Sequence, residues 1–288
     1  MLPNHSPTYS SNPRKMEFAM PVKIPGLVIA GSLLFSVTAR CDTAVKCSFK
    51  TLAACPKIGC SKPNSPLAVT NSQKRTVSIN GSPAEITFPD LQDLQDDVGK
   101  TFAGGPVVIK GAKVSSYHNM KAAPRKIILS GLKTGSGNFS EGDFVELFGF
   151  IAATTGDPHP NPGESVNCKL TTGSSSDYHI NITPAKNEDE TQGVVVEMIP
   201  QDPHRKSDTW SLVKLKAIEA HQLPVKIEGR LFFDSEHSPN LKKGATSGGP
   251  RRFSLWEIHP LLSFFVCPSG TCTKTAGWKA LEDWSPSP

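Results

Sequence analysis

The sequence carries no large excess of charge of one sign. Its 288 residues include 31 Lys and Arg against 26 Asp and Glu, which gives a formal net charge of +5. An excess this small, spread along the chain, does not indicate a nucleic-acid-binding protein. With 37% hydrophobic, 20% charged and 7% aromatic residues, the composition also excludes a membrane-embedded bundle, a coiled coil and a fully disordered polymer.

The motifs of several common catalytic sites are also absent. The sequence contains no G-x-x-x-x-G-K-[ST] phosphate loop, no G-x-S-x-G nucleophile elbow and no H-E-x-x-H zinc motif. Nucleotide hydrolysis, serine hydrolysis and metallopeptidase chemistry of these types therefore lose support.

A short apolar run without charges lies near the start of the chain, at residues 24–37. It is shorter than the ~20 residues that a membrane span needs, and small residues follow it up to Ala39, as in a secretory signal. We predict a signal peptide at 1–39 and hence an exported protein, periplasmic or extracellular, with no stable membrane span after cleavage. The alternative is a retained amphipathic anchor. The start of translation stays open between Met1, Met16 and Met20.

All seven cysteines follow this segment, and in an oxidising compartment such a number predicts disulfides. The candidates are Cys41, Cys47, Cys55, Cys60, Cys267 and Cys272. The first four predict a small cross-linked lobe, and the last two are close enough to close a short loop. Because seven is odd, at least one thiol stays free or pairs between chains. Cys168, inside a predicted strand, is the best candidate for a buried unpaired thiol.

Composition divides the rest of the chain into four regions. They are a cysteine-rich segment with a linker at 40–87, a helix with short strands at 88–140, a β-barrel at 141–272 and a C-terminal tail at 273–288. The helix is predicted because Leu91, Leu94 and Val98 have helical spacing.

In the third region, β-rich runs separated by turn residues surround one helical segment. The runs are 143–153, 164–170, 177–182, 194–199, 223–234 and 253–267. The helical segment is 208–221, with Asp208 as its predicted N-cap. We interpret the order as strand, strand, strand, helix, strand, strand, with a bulge or a sharp coil of the strand at Gly149 in the first strand. It resembles the OB-fold, a mostly β, five-stranded Greek-key barrel with one helix between strands 3 and 4. The alternative is an irregular β-sandwich.

Five short strings in this part of the chain resemble signatures shared by a group of exported bacterial proteins. The strings are GESVNC, DYHI, VVVEMIPQ, GRLFFDSEH and RRFSLWEIHP. This group has no assigned biochemical activity. The resemblance therefore implies export, but no mechanism.

Ionisable residues recur in runs that are otherwise apolar. They are Asp177, His179, Glu197, Asp234, His237, Glu257 and His259. Residues two apart in a strand share a face, so Asp177 with His179, and Glu257 with His259, are paired on one surface. Converging carboxylates and imidazoles suit a divalent metal such as zinc or manganese, or a general acid–base pair. The alternative is a structural hydrogen-bonded network, with Asp234 and His237 as turn residues.

Three functional hypotheses follow. The first is an exported OB-like module that binds an unknown small ligand or a metal. In that case His179, Glu257 and His259 should lie within about 5 Å of one another or of one ion. The second is a metal-dependent hydrolase of the phosphodiesterase or nuclease type, and the third is a structural envelope protein that pairs through its odd cysteine. Whether the protein is an enzyme stays open.

Strand aromatics beside Lys and Arg also allow nucleic-acid binding, which the small net charge disfavours.

Overall fold

The computed structural model describes residues 47–154, 157–238 and 251–286. The predicted signal peptide and Cys41 lie outside these ranges, so the structure does not bear on either. Within the described ranges, no helix is long and apolar enough to cross a membrane.

Most of the regular structure consists of strands, with a few short helices. The helices are α1 (Pro66–Lys74), α2 (Phe88–Phe102), α3 (Ala122–Ile128), α4 (Pro203–Lys206) and α5 (Leu212–Ala220). The strands are β1 (Ala84–Glu85), β2 (Val107–Ile109), β3 (Ala112–Val114), β4 (Leu132–Lys133), β5 (Asn138–Phe139), β6 (Phe144–Ile151), β7 (His159–Asn161), β8 (Asp177–Thr183), β9 (Val194–Met198), β10 (Pro224–Phe233), β11 (Trp256–Val266) and β12 (Lys279–Ala280).

Five of these strands close into a barrel, as the sequence predicted. Around the barrel the order is β6, β10, β11, β9 and β8, and β8 pairs back onto β6. The neighbouring pairs are antiparallel except β9 and β11, which run parallel with Val196 opposite Ile258. Helix α5 lies in the chain between the third and fourth barrel strands. It begins after Ser211, whose side chain accepts a hydrogen bond from the Lys214 amide, and not at Asp208 as predicted.

The predicted strand at 164–170 is wrong, because this segment is a turn. Cys168 and Lys169 have φ angles of 55° and 57°, in the left-handed region that strands do not use. The Lys169 amide donates to the Glu164 carbonyl at 2.8 Å, which reverses the chain. Instead, the short strand β7 pairs with β8. Five long strands therefore remain, which is the number that the barrel needs.

Close packing in the barrel explains two of its glycines. A Cβ at Gly149 would lie 2.6 Å from the Thr183 carbonyl oxygen, and one at Gly229 would lie 2.6 Å from the Pro260 carbonyl oxygen. Any side chain would collide there with the backbone of a neighbouring strand. Gly229 also lies at a shift in the β10–β11 register, which is the irregularity of a β-bulge.

The outer face of β8 and β9 is covered. In both strands every residue is buried, whereas β6 shows the alternating pattern of a strand with one exposed face. Part of the cover comes from the segment interpreted as a linker, which contains helix α1. Asn71 of α1 donates to the carbonyl of Ile58 at 2.9 Å, and α1 contacts β11.

Among the described residues, three disulfides are formed: Cys47–Cys60, Cys55–Cys168 and Cys267–Cys272. The expectation of an unpaired Cys168 is therefore wrong. Cys55 reaches across 113 positions to the turn after β7, with a Cα–Cα distance of 5.8 Å. The cysteine-rich segment is thus tied to the barrel and is not a separate lobe.

The C-terminal segment interpreted as a tail also packs on the barrel. Strand β12 pairs with β11, and Leu281 and Trp284 are buried. Lys214 of α5 donates to the carbonyls of Leu281 and Glu282 at 2.8 and 3.0 Å.

The two disulfides that close the longest and shortest loops should differ in their effect on stability. Their partners are 113 and 5 positions apart. Loop-closure entropy then predicts losses of about 5 kcal/mol for Cys55→Ala with Cys168→Ala, and about 2 kcal/mol for Cys267→Ala with Cys272→Ala. Denaturant unfolding of the two double variants measures both free energies. Equal losses would contradict the expectation.

Candidate metal centre

Five of the seven predicted site residues form one cluster on the outer face of the barrel. Asp177 and His179 come from β8, Glu197 from β9, and Glu257 and His259 from β11. The register places His179 directly opposite Glu197. It also places Ile258 opposite Val196 in a parallel pair, so His259 is level with Glu197 and Glu257 is level with Val195. None of the five residues is more than 6% exposed.

Glu197 links the two histidines of the cluster. Its Oε1 lies 2.8 Å from Nε2 of His179, and its Oε2 lies 3.0 Å from Nδ1 of His259. His259 Nδ1 is also 3.7 Å from Oε2 of Glu257, and His179 Nε2 is 3.0 Å from Nδ2 of Asn161. His179 of β8 and His259 of β11 therefore both contact Glu197.

Several buried polar atoms of this cluster have no hydrogen-bond partner among the described residues. They are both carboxylate oxygens of Asp177, Oε2 of Glu197, Oε2 of Glu257 and both ring nitrogens of His259. Two of these atoms, Nδ1 of His259 and Oε2 of Glu197, nevertheless lie 3.0 Å from each other as an ion pair. Buried polar atoms without partners are costly and rare in folded proteins. Asp177, Glu197 and His259 offer ligand atoms within 4.8 Å of one another, which is compatible with a metal ion.

The protonation of the cluster follows from its burial and its mutual charges. Burial favours neutral forms, but the carboxylate of Glu197 raises the pKa of His179 to about 9 and that of His259 to about 10. The two histidines in turn hold the pKa of Glu197 well below its usual value. Burial, together with Glu164 and Glu197, raises the pKa of Asp177. Without a bound cation, this site holds protons that a metal ion would displace.

Two charged residues beside the cluster were missed by sequence reasoning. Lys74 of α1 is 4% exposed, and its Nζ lies 3.6 Å from Oε1 of Glu164. Burial lowers the pKa of Lys74, but Glu197 and Glu164 more than compensate and raise it. The start of α1 was recognisable from Ser65, the N-cap, followed by Pro66. No local signal distinguishes Glu164.

The other two predicted residues, Asp234 and His237, already have partners. Asp234 Oδ2 lies 2.7 Å from Nη2 of Arg252 and 2.5 Å from Nδ1 of His237, and its Oδ1 accepts the Glu236 amide at 3.0 Å. Arg252 also donates to Glu257. These contacts fit the structural alternative, an ion-pair network with an Asx-type turn.

Three aromatic residues of β10 and β11 are too buried to stack on bases. Phe232, Phe233 and Trp256 are at most 1% exposed. Phe148 packs against Trp278, with ring centroids 5.7 Å apart. Bases cannot stack on rings that are already buried.

Comparison with known proteins does not extend this description. No protein-family model matches the chain, and no curated protein or solved structure matches it either. The chemistry of the cluster therefore rests on its own geometry.

Replacing Arg252 by Met should destabilise the protein strongly, because it leaves the carboxylates of Asp234 and Glu257 buried without their cation. The expected loss is about 3–5 kcal/mol in the free energy of unfolding. Arg251→Met is the matched control: Arg251 pairs with Glu190, and its side chain is 20% exposed. We expect a loss of about 1 kcal/mol or less for the control. Similar losses in the two variants, measured by urea denaturation, would contradict this account.

The contribution of Asp234 to stability should depend on pH. Burial alone would raise the pKa of Asp234, but Arg252 and His237 hold it well below its usual value. A depressed folded-state pKa gives stability that is present above the unfolded pKa of about 4 and is lost as the pH falls below it. The stability gap between wild type and Asp234→Asn should therefore close in acid. Urea unfolding between about pH 2 and pH 7 measures this gap; a gap independent of pH would refute the assignment.

Proposed function

We propose that this protein is an exported OB-like barrel that binds a divalent metal ion, zinc or manganese, through Asp177, Glu197 and His259. One observation carries the proposal. Buried ligand atoms without hydrogen-bond partners belong to all three residues, and the three residues offer ligand atoms within 4.8 Å of one another.

The donor set supports this choice of metals. Two carboxylates and one imidazole suit zinc and manganese better than calcium, which prefers oxygen ligands alone. Three ligand atoms about 2.0–2.2 Å from one ion lie about 3.3–3.8 Å from one another. The ligand atoms here lie within 4.8 Å of one another, so the side chains would move together by no more than about 1.5 Å.

Topology supports the OB-like part of the proposal. The barrel strands, numbered along the chain, follow the order 1-2-3-5-4-1 with strands 3 and 5 parallel. Helix α5 lies between strands 3 and 4. OB-folds bind their ligands on the face of strands 2 and 3, which here are β8 and β9. Asp177, His179 and Glu197 lie on these two strands.

Export is supported by the three disulfides, since such bonds persist in oxidising compartments. The resemblance of GESVNC, DYHI and RRFSLWEIHP to the signatures of exported bacterial proteins also predicts export.

Burial favours metal binding over metal-dependent hydrolysis of a phosphodiester. The side chains of Glu197 and His259 are at most 1% exposed, and that of His179 is 8% exposed. A single ion fits between such groups, whereas a nucleic-acid backbone needs an open surface on which to bind.

Metal binding can be tested with the purified mature protein. After chelator treatment and dialysis, we expect zinc or manganese to bind in calorimetric titration. Asp177→Asn should bind at least one equivalent less at the same free metal concentration. A change in an outer-shell residue lowers the metal affinity roughly 10–100-fold, and the loss of a ligand lowers it further. Glu146→Gln, on strand β6 and paired with Lys226, is the control and should bind like wild type.

Near-ultraviolet circular dichroism checks that both variants are folded. If wild type binds neither metal, the protein is not a metal-binding module of this type. If Asp177→Asn binds as wild type does, the ligands are assigned incorrectly.

A further inference from the structure

The carboxylate of Glu197 faces two sites. Its Oε1 is directed to His179 at 2.8 Å, and its Oε2 to His259 at 3.0 Å. The two oxygens therefore contact different histidines. Asp177 and His259 form the site proposed above with Glu197.

On the side of His179, a second set of ligand atoms is complete. Glu164, His179 and Glu197 also offer atoms within 4.8 Å of one another. Oε2 of Glu164 is buried and has no hydrogen-bond partner among the residues that the structure describes. This set contains the same chemistry as the first, two carboxylates and one imidazole.

Glu164 is held in place by the fold. It lies in the turn whose reversal is closed by the hydrogen bond from the Lys169 amide to the Glu164 carbonyl. Cys168, in the same turn, is linked to Cys55. The carboxylate of Glu164 therefore belongs to a cross-linked turn and not to a free loop.

We propose that Glu164, His179 and Glu197 bind a second divalent cation, so that Glu197 bridges two metal ions. The inference rests on the proposed function, because it shares Glu197 with the first site. Metal ions bridged in this way lie about 3.5–4 Å apart.

The number of bound ions tests the second site. Calorimetric titration of chelator-treated wild-type protein with Mn²⁺ should give two equivalents per chain. Glu164→Gln and Asp177→Asn should each bind one equivalent, because each removes a ligand from one site only. Glu146→Gln, the control on β6, should bind two.

Paramagnetic resonance of the Mn²⁺-loaded wild type supplies a readout that needs no variant. Two ions bridged by Glu197 should give the spectrum of an exchange-coupled pair. Glu164→Gln should give the spectrum of isolated ions.

The two proposals can fail separately. One equivalent in wild type with an uncoupled spectrum overturns the second site and leaves the first. Two equivalents in Glu164→Gln also overturn it, because Glu164 is then not a ligand. No bound metal in wild type overturns both proposals.

Discussion

The burial of ionisable side chains on the outer face of β8, β9 and β11 is the constraint on which the rest of the structure depends. Charges in a low-dielectric environment must be paired, neutralised or bound to an ion. Arg252 donates hydrogen bonds to Asp234 and to one oxygen of Glu257, and Lys74 forms an ion pair with Glu164. Asp177, His259 and one oxygen of Glu197 remain without hydrogen-bond partners among the described residues. The divalent cation proposed above would meet this remaining requirement.

The cover over this face makes the burial possible. Helix α1 brings Lys74 to the cluster, and the Cys55–Cys168 disulfide joins the cysteine-rich segment to the turn that carries Glu164. The same covalent link thus organises both the cover and one proposed ligand. A barrel without this segment would expose Glu197 and the two histidines to water, where direct contacts between such groups contribute little.

The sequence predicted the barrel well because barrel strands leave local signals. Runs such as 177–182 and 194–199 are β-rich and bounded by turn residues, and the helix before 223–234 has helical spacing. The ionisable residues in these runs predicted the cluster, since a polar residue in an apolar strand needs a partner. The run at 164–170 predicted a strand wrongly because its β-rich composition conceals a turn at Cys168 and Lys169. Lys74 was missed because α1 lies in a segment rich in Pro, Ser and Asn.

The sequence by itself determined which side chains lie on the faces of the strands, because alternation along a strand is a local property of the backbone. It also determined that Cys267 and Cys272 could pair, since only 5 positions separate them. The tertiary structure alone decided that Cys168 pairs with Cys55, that Asp234 is neutralised by Arg252, and that Glu197 lies between His179 and His259. These contacts join distant segments, and barrel closure sets which residues of different strands meet. No local sequence pattern predicts which residues of different strands lie opposite each other.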